Sequence, residues 1–356
     1  MHMDSYQIDS HKLIYHPRRV ADWLEGKDIY PIYVEIALYG GCNHRCIFCA
    51  LDYLDYKPQF IDKDILIDIL SEMAQCGVKS VMYAGEGEPL LHKDITELIL
   101  YTKKIGIDVA ATTNGVFFND EIAKKTLSVL TWLRISLDAG TAVTYSKIHC
   151  CHPDDFQRVF DNISCAVKLK RQNNYACTIG VQFILLPDNY KEVSVLAKQL
   201  RDCGVDYLII KPYSHHPLSK NKINGTFNYS NYLYLDEELQ KLSDSNFKII
   251  FRAHTMRKLK QEKPYKRCLG LPFWTYIDSV GNIYACSSFL GNERFSYGNI
   301  YKNTFKEIWA GTKRKKILNM FNTDLDISQC RKACRLDEIN RYLWELKNPS
   351  THVNFI

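Results

Sequence analysis

From residue 33 onward the chain alternates between short apolar runs and stretches in which apolar residues recur every three or four positions. The runs YVEIALY (33–39), KSVMYAG (79–85), IDVAATTN (107–114), WLRISLD (132–138), CTIGVQFILL (177–186) and VDYLIIKPY (205–213) read as strands. Between them, residues 62–77, 94–106, 119–130, 153–172 and 189–204 read as helices. Their ends carry the expected punctuation: Gly77 and Gly204 as stops, Asn119 as an N-cap, and Pro153 followed by two acids at a start. The series is one of βα steps, and its strands are apolar enough to be covered on both faces. The class is therefore α/β. An open doubly wound sheet and a barrel, closed or partial, both satisfy it. In either, chemistry belongs at the C-terminal ends of the strands. No GxGxxG follows the first strand, which counts against a dinucleotide site.

After residue 213 the pattern changes. SHHPLSKNKINGTFNYSNY (214–232) reads as a polar loop, LDEELQKLSD as a short helix and FKIIFRA (247–253) as a strand. SVGN (279–282) reads as a hairpin turn between WTYID and IYACS. Residues 298–318 read as a turn and a helix, and DEINRYLWELK as a last helix. These shifts divide the chain into an extension (1–32), a barrel unit (33–213), a connecting segment (214–263), a small α+β unit (264–340) and a tail (341–356).

Charge and composition narrow the setting. There is no run of eighteen apolar residues and no apolar signal segment at the start, so a cytoplasmic protein without membrane association is expected. A net charge of +6 is a mild preference for anionic partners. The basic stretches 257–267 and 313–316 read as solvated faces, no RNA-binding module is visible, and nucleic acid is not the expected partner. Thirteen cysteines, an odd number in a long chain without a signal, fit metal or cluster ligation better than disulfides.

Cys42, Cys46 and Cys49 sit within eight residues, just after the first strand. Three thiolates at this spacing suit one face of a cubic iron–sulfur cluster and leave one iron open. Zinc is the competing reading, but structural zinc wants four protein ligands, and His44 lies inside the loop with poor spacing to be the fourth.

The stretch Cys42-Asn-His-Arg-Cys46-Ile-Phe-Cys49 resembles the CxxxCxΦC signature of the radical S-adenosylmethionine (SAM) enzymes, with Phe48 as the aromatic before the last cysteine. The resemblance implies a partial (β/α)6 barrel. It implies a [4Fe–4S] cluster whose open iron is chelated by SAM, and an external electron donor of flavodoxin or ferredoxin type. Cleavage of SAM then yields a 5′-deoxyadenosyl radical that abstracts hydrogen from substrate. Further strand ends match in order. Gly85, Glu86, Gly87 and Glu88 match the family's glycine–glutamate motif for the methionine amino group. Asn114 of TTNG matches a position near SAM, Ser136 and Asp138 match ribose-binding positions, and Lys211 of IKPYS lies on the strand where SAM carboxylate contacts occur.

Cys268, Cys286, Cys330 and Cys334 form a second group, with GxxxxC at 281–286 and CxxxC at 330–334. It resembles the C-terminal extension called SPASM or, shortened, twitch. The central CxxC of the full pattern is missing. Four cysteines imply one fully ligated auxiliary [4Fe–4S] cluster, with zinc as the alternative. Such a cluster suits electron transfer, as in relatives that oxidise an alcohol. Other relatives are epimerases, which return a hydrogen atom from a cysteine. Cys150 and Cys151, flanked by His149 and His152 in a loop after the fourth strand, are the candidate catalytic hydrogen donors. Cys76, Cys165, Cys177 and Cys203 read as packing residues.

The substrate is the least legible part. Only about 32 residues precede the first strand, too few for the leader-binding module common in peptide-modifying relatives. A small polar molecule such as a sugar, aminocyclitol or nucleotide fits best, with His215, His216, Lys220 and Lys222 in the polar loop as possible contacts. A ribosomally made peptide, or less so RNA, is the alternative.

Overall fold

The computed structural model describes residues 6–221, 223 and 227–355. Ten strands are formed: β1 Tyr33–Ile36, β2 Ser80–Tyr83, β3 Asp108–Thr113, β4 Leu130–Ser136, β5 Thr178–Leu185, β6 Tyr207–Pro212, β7 Lys248–Phe251, β8 Trp274–Ile277, β9 Asn282–Tyr284 and β10 Ser296–Asn299. They make one sheet in the order β10-β9-β8-β1-β2-β3-β4-β5-β6-β7. β1 to β7 pair in parallel, each with the next. β8 runs parallel to β1 on its other edge and then turns into antiparallel β9 and β10. The boundaries read from composition therefore do not interrupt the sheet. Residues after 213 add β7 to one edge and β8 to the other.

The helices are α1 Pro17–Leu24, α2 Lys63–Gln75, α3 Ile95–Lys104, α4 Asp120–Thr126, α5 Ala142–His149, α6 Asp154–Asn173, α7 Val193–Cys203, α8 Tyr234–Gln240, α9 Ala253–Lys258, α10 Phe305–Ala310, α11 Thr312–Thr323 and α12 Asp337–Lys347. Side chains alternate across each strand. One set, including Val34, Ile36, Val81, Val109, Leu133, Val181 and Leu208, packs with Leu66, Leu98, Val159 and Leu196 of the helices in the main core. Each such buried side chain contributes on the order of 1.5–3 kcal/mol. The opposite set lines a concave face and is mixed: Glu35, Met82, Arg134, Gln182 and Lys211 stand among Ala84, Ala110 and Trp132. The inner face is thus more polar than the apolar runs suggested.

Expected caps are present. Asn119 accepts from Ile122 N at 3.0 Å and starts α4, and Gly204 ends α7 in the left-handed region. α5 is an addition to the sequence reading, because its β-branched residues are weak helix formers. It is nucleated from outside. Thr141 caps it, and the Glu192 carboxylate accepts from Gly140 N at 2.9 Å, Thr141 N at 3.1 Å and the Thr144 hydroxyl at 2.5 Å. The helix read over 119–130 is cut to one short piece, because Leu130 already belongs to β4.

The basic stretches are not wholly solvated faces. Lys258 is half-buried and paired with Asp337 at 2.8 Å and with Glu338. Arg314 is buried over Trp309, 3.9 Å from its ring centre, and donates to Trp309 O at 3.0 Å. Of the extension, Tyr6 packs on Tyr207 at 5.0 Å, and Asp9 accepts from Arg252 at 2.8 Å and Thr255 at 2.5 Å. It thereby covers the N-terminal end of the concave face.

Candidate active site

The segment carrying Cys42, Cys46 and Cys49 leaves β1 and is gripped by the loops that follow β2 and β3. Glu88 N donates to Gly41 O at 2.8 Å. Gly87 has φ +71°, and a Cβ there would collide with the backbone of Tyr39 and Gly41, so only glycine lets these loops touch. The buried Glu88 carboxylate accepts from Leu90 N at 3.0 Å, the Thr113 hydroxyl at 2.6 Å and Asn114 N at 2.8 Å. Burial raises its pKa, partly offset by those bonds. Asn114 Nδ2 then donates to Asn43 Oδ1, inside the cysteine segment, at 2.7 Å. Gly85, with φ +107°, lies against Tyr276, whose hydroxyl accepts from Glu86 N at 2.9 Å. Glu86 Oε1 accepts from Ser279 N at 2.7 Å. The Gly85–Glu88 motif and Asn114 are thus brought beside the cysteines. Glu88, however, spends both its oxygens on the protein's own backbone and side chains.

The other flank of the cysteine segment rests on the end of α5. Arg45 N donates to His149 O at 3.0 Å and Ile47 N to Ile148 O at 2.9 Å. His149 is buried, with Nδ1 3.3 Å from Cys46 Sγ. Its Nε2 accepts from Asp138 N at 3.2 Å. His44 is buried too, its Nε2 3.2 Å from Asp155 Oδ2, and a ring nitrogen lies within 4.8 Å of Cys46 Sγ and of a His149 ring nitrogen. Burial lowers the pKa of both histidines.

Three of the candidate residues are not where the sequence reading wanted them. Asp138 is fully enclosed: one oxygen accepts from Ile184 N, the other lies 3.3 Å from His149 Nε2, and burial pushes its pKa up to about 7. A ribose has no access to it. Cys150 is exposed at the left-handed C-terminus of α5 and faces Lys147 O at 3.5 Å. Cys151 groups with His44 and Asp155 behind the cysteine segment. Neither thiol contacts the concave face. The reason is α5 itself, which carries the KIHCC stretch around the outside of the strand ends.

Ser136 and Lys211 do meet on the concave face. Lys211 Nζ donates to Gln182 Oε1 at 2.5 Å, and Gln182 Nε2 to Ser136 Oγ at 3.5 Å. Burial, with Arg134 and Arg252 nearby, lowers the Lys211 pKa to about 7. Glu35 pairs with Arg335, which reaches in from the C-terminal unit. The polar loop folds over the cysteine segment: Ser219 Oγ and Asn221 Nδ2 donate to Cys49 O at 3.2 and 3.3 Å. His216 is fully buried under Tyr53, with ring centres 4.9 Å apart, and His215 lies 3.2 Å from the Tyr213 hydroxyl. Lys220 pairs with Asp55. Lys222 lies outside the described residues.

Cys268, Cys286, Cys330 and Cys334 come together from three separate segments. The field of the other three thiols acts on Cys268, after burial, to raise its pKa. Asn340 of α12 ties the group down. Its Oδ1 accepts from Leu269 N at 2.7 Å and Gly270 N at 2.8 Å, and its Nδ2 lies 3.6 Å from Cys268 Sγ. Arg331, between the last two cysteines, donates to Ser214 O at 2.9 Å and so links this group to the polar loop.

Both cysteine sets fit iron–sulfur clusters. All thirteen cysteines are free thiols. Among the described residues, neither cysteine set by itself gathers three ligand atoms within 4.8 Å of one another, as a single zinc with bonds of about 2.3 Å to sulfur would require; Cys46 does so only together with His44 and His149. Burial raises the thiol pKa of Cys42 to about 12 and of Cys334 to about 11, so ligation of a metal by either would release a proton.

The radical SAM superfamily model matches residues 36–200, and that of the iron–sulfur cluster-binding SPASM domain matches residues 268–335. The chain belongs to the radical SAM superfamily, with the C-terminal extension included. It is an enzyme of the kind that uses SAM and a [4Fe–4S] cluster, together with auxiliary iron–sulfur chemistry in the extension, and such enzymes draw on an electron donor. The chain is similar to the "Probable GTP 3′,8-cyclase" of Saccharolobus solfataricus, 26% identical over 69% of this chain and 73% of that protein. It is likewise similar to the "AdoMet-dependent heme synthase" of Methanosarcina barkeri, 25% identical over 78% and 81%. An "S-adenosylmethionine-dependent nucleotide dehydratase" of Lacinutrix mariniflava is 32% identical, but over only 32% of this chain and 27% of that protein. Among solved structures, SuiB of Streptococcus suis bound to its precursor peptide SuiA shares the fold at TM-score 0.67, with 18% identity, 95% of this chain and 78% of that one covered. No helix among the described residues is long and apolar enough to cross a membrane.

The residues that support the cysteines were harder to see in the sequence. His149 stood out only as a neighbour of Cys150. Asn340, Tyr276 and Arg335 lie far along the chain from what they hold, and nothing local marks them.

Proposed function

We propose that Cys42, Cys46 and Cys49 hold the SAM-binding cluster, and that Cys268, Cys286, Cys330 and Cys334 hold one fully ligated auxiliary cluster of the shortened, twitch type. The enzyme abstracts hydrogen from a small polar substrate and ends in oxidation or epimerisation. When bound, the first cluster supplies the electron that cleaves SAM. The protein's part is to hold the cysteine segment rigid through Glu88 and Asn114, and to orient the substrate on the concave face. The observation that carries the substrate class is that face: Glu35, Arg134, Ser136, Gln182 and Lys211 offer charged and hydrogen-bonding groups where an apolar substrate would leave them unpaired. Two of the similar proteins are named for nucleotides, which are small and polar. Lys211, near neutrality and bonded to Gln182, is suited to an anionic group of SAM or substrate.

The test is anaerobic reconstitution with iron and sulfide counting, paired with a SAM cleavage assay. About eight irons are expected, falling to about four, with loss of 5′-deoxyadenosine, in the Cys42→Ala/Cys46→Ala/Cys49→Ala variant. About four irons in the unsubstituted protein and none in the triple variant would remove the auxiliary cluster and with it the oxidation reading.

A further inference from the structure

We infer that His149 donates a hydrogen bond from Nδ1 to the sulfur of Cys46 and thereby makes the catalytic cluster easier to reduce. The inference rests on Cys46 being a cluster ligand, as proposed above.

The direction of the bond follows from geometry. The Asp138 backbone N–H points at Nε2 with a separation of 3.2 Å. A backbone amide has only a hydrogen to offer, so Nε2 presents its lone pair and the ring hydrogen sits on Nδ1. Nδ1 is 3.3 Å from Cys46 Sγ. A ligating sulfur carries no hydrogen of its own, so a contact at this distance is attractive only if nitrogen brings one. The Cys46 end and the Asp138 backbone end agree on one tautomer, and the Asp138 carboxyl, whose Oδ2 also lies 3.3 Å from Nε2, suits that tautomer when burial keeps its proton on.

The ring cannot easily leave this pose. It is 1% exposed. Tyr145 lies over it with ring centres 4.2 Å apart, Phe48 meets it edge-on at 5.6 Å, and His44 at 5.5 Å. The backbone of His149 and Ile148 is bonded to the cysteine segment itself, so the donor and its sulfur move as one unit. Asp138 thus acts through His149 rather than on a ribose.

Reduction of a cluster adds negative charge, part of which resides on the ligating sulfurs. A donor aimed at one of them stabilises the reduced form more than the oxidised form, because a hydrogen bond strengthens with charge on its acceptor. Cys42 has a different support, the His44 backbone N–H at 3.4 Å. His149 is therefore a positioning and tuning residue and not a catalytic one.

The experiment is a potentiometric titration of the reconstituted enzyme, following by electron paramagnetic resonance the reduced-cluster signal that changes when SAM is added. Iron is counted first in each protein. His149→Phe keeps a ring for the Tyr145–Phe48 cage and lacks the donor, His149→Leu lacks both, and His149→Asn restores an N–H at the δ position. The Phe and Leu variants should need about a tenfold greater reducing drive, equivalent to about 59 mV for one electron. The Asn variant should return most of the way to the unsubstituted value. Equal potentials in all four proteins, or an Asn variant as low as the Leu variant with iron intact, would overturn the inference. If one donor-less variant loses its iron, the other carries the comparison. If the unsubstituted protein shows no SAM-responsive cluster, it is the ligand assignment that fails instead.

Discussion

The two cysteine groups are built in opposite ways. Cys42, Cys46 and Cys49 lie on one short segment, and the fold grips that segment through Gly87 and Glu88 after β2, Asn114 after β3 and His149 at the end of α5. Cys268, Cys286, Cys330 and Cys334 are spread over 67 positions and meet only because β8, β9 and α12 fold back on one another. The first group is preorganised by the barrel. On the assignment proposed above, the second would owe more of its order to its cluster, since metal affinity and folding free energy are the same quantity where the site is absent from the unfolded chain.

The sharpest way to break this contrast is at Glu88. Glu88→Ala leaves Leu90 N, Asn114 N and the Thr113 hydroxyl without their acceptor. A cost on the order of 3–5 kcal/mol is expected, with catalytic iron and SAM cleavage lost while about four auxiliary irons remain. Loss of all the iron together would mean that the groups are not independent. Asn340→Ala is the mirror experiment. It strands two backbone N–H groups near Cys268, and thermal unfolding should show a loss of about 2–4 kcal/mol, with the auxiliary irons released first.

A smaller effect is expected from Asp138→Asn in the pH dependence of stability. The folded pKa, about 7, lies above the ordinary aspartate value, so the folded state keeps a proton that the unfolded chain has released. Stability contributed by this group is complete below about pH 4, falls as pH rises towards 7 and is flat beyond. The slope is at most about 1.4 kcal/mol per pH unit. The asparagine variant should lose that slope in denaturant titrations run across the window. The smallest change is expected at Cys150, which is exposed and whose thiol faces Lys147 O. Cys150→Ala should leave SAM cleavage, iron content and unfolding unaltered, and any loss of turnover there would restore it as a hydrogen donor.

How much the sequence discloses follows the same divide. The βα series and the CxxxCxxC segment were legible because local pattern and tertiary role coincide: strands need apolar runs, and a cluster face needs closely spaced thiols. The four later cysteines were legible as a group because thiols are rare enough to be counted. What escaped was set by contacts across the fold. α5 depends on Glu192, about fifty residues away in the chain, and its presence exposed Cys150 and placed Cys151 against His44 and Asp155. Asp138 looked like a strand-end ligand, but the same alternation that brings Ser136 to the concave face leaves Asp138 beyond the last pairing of β4, where it closes over His149 and Ile184. The basic stretches looked solvated because charge alone does not reveal that Arg314 has Trp309 to lie on.

The pairing of β8 with β1 has a practical consequence for anyone wishing to dissect the enzyme. Residues Tyr33–Ile36 exchange ladder bonds with Trp274–Ile277 along their whole length. A truncation ending before residue 264 would strip that partner away and leave a bare, apolar strand margin facing water. Such margins recruit other chains. A fragment carrying the first cysteine group alone should therefore oligomerise or precipitate, however well its own core is packed.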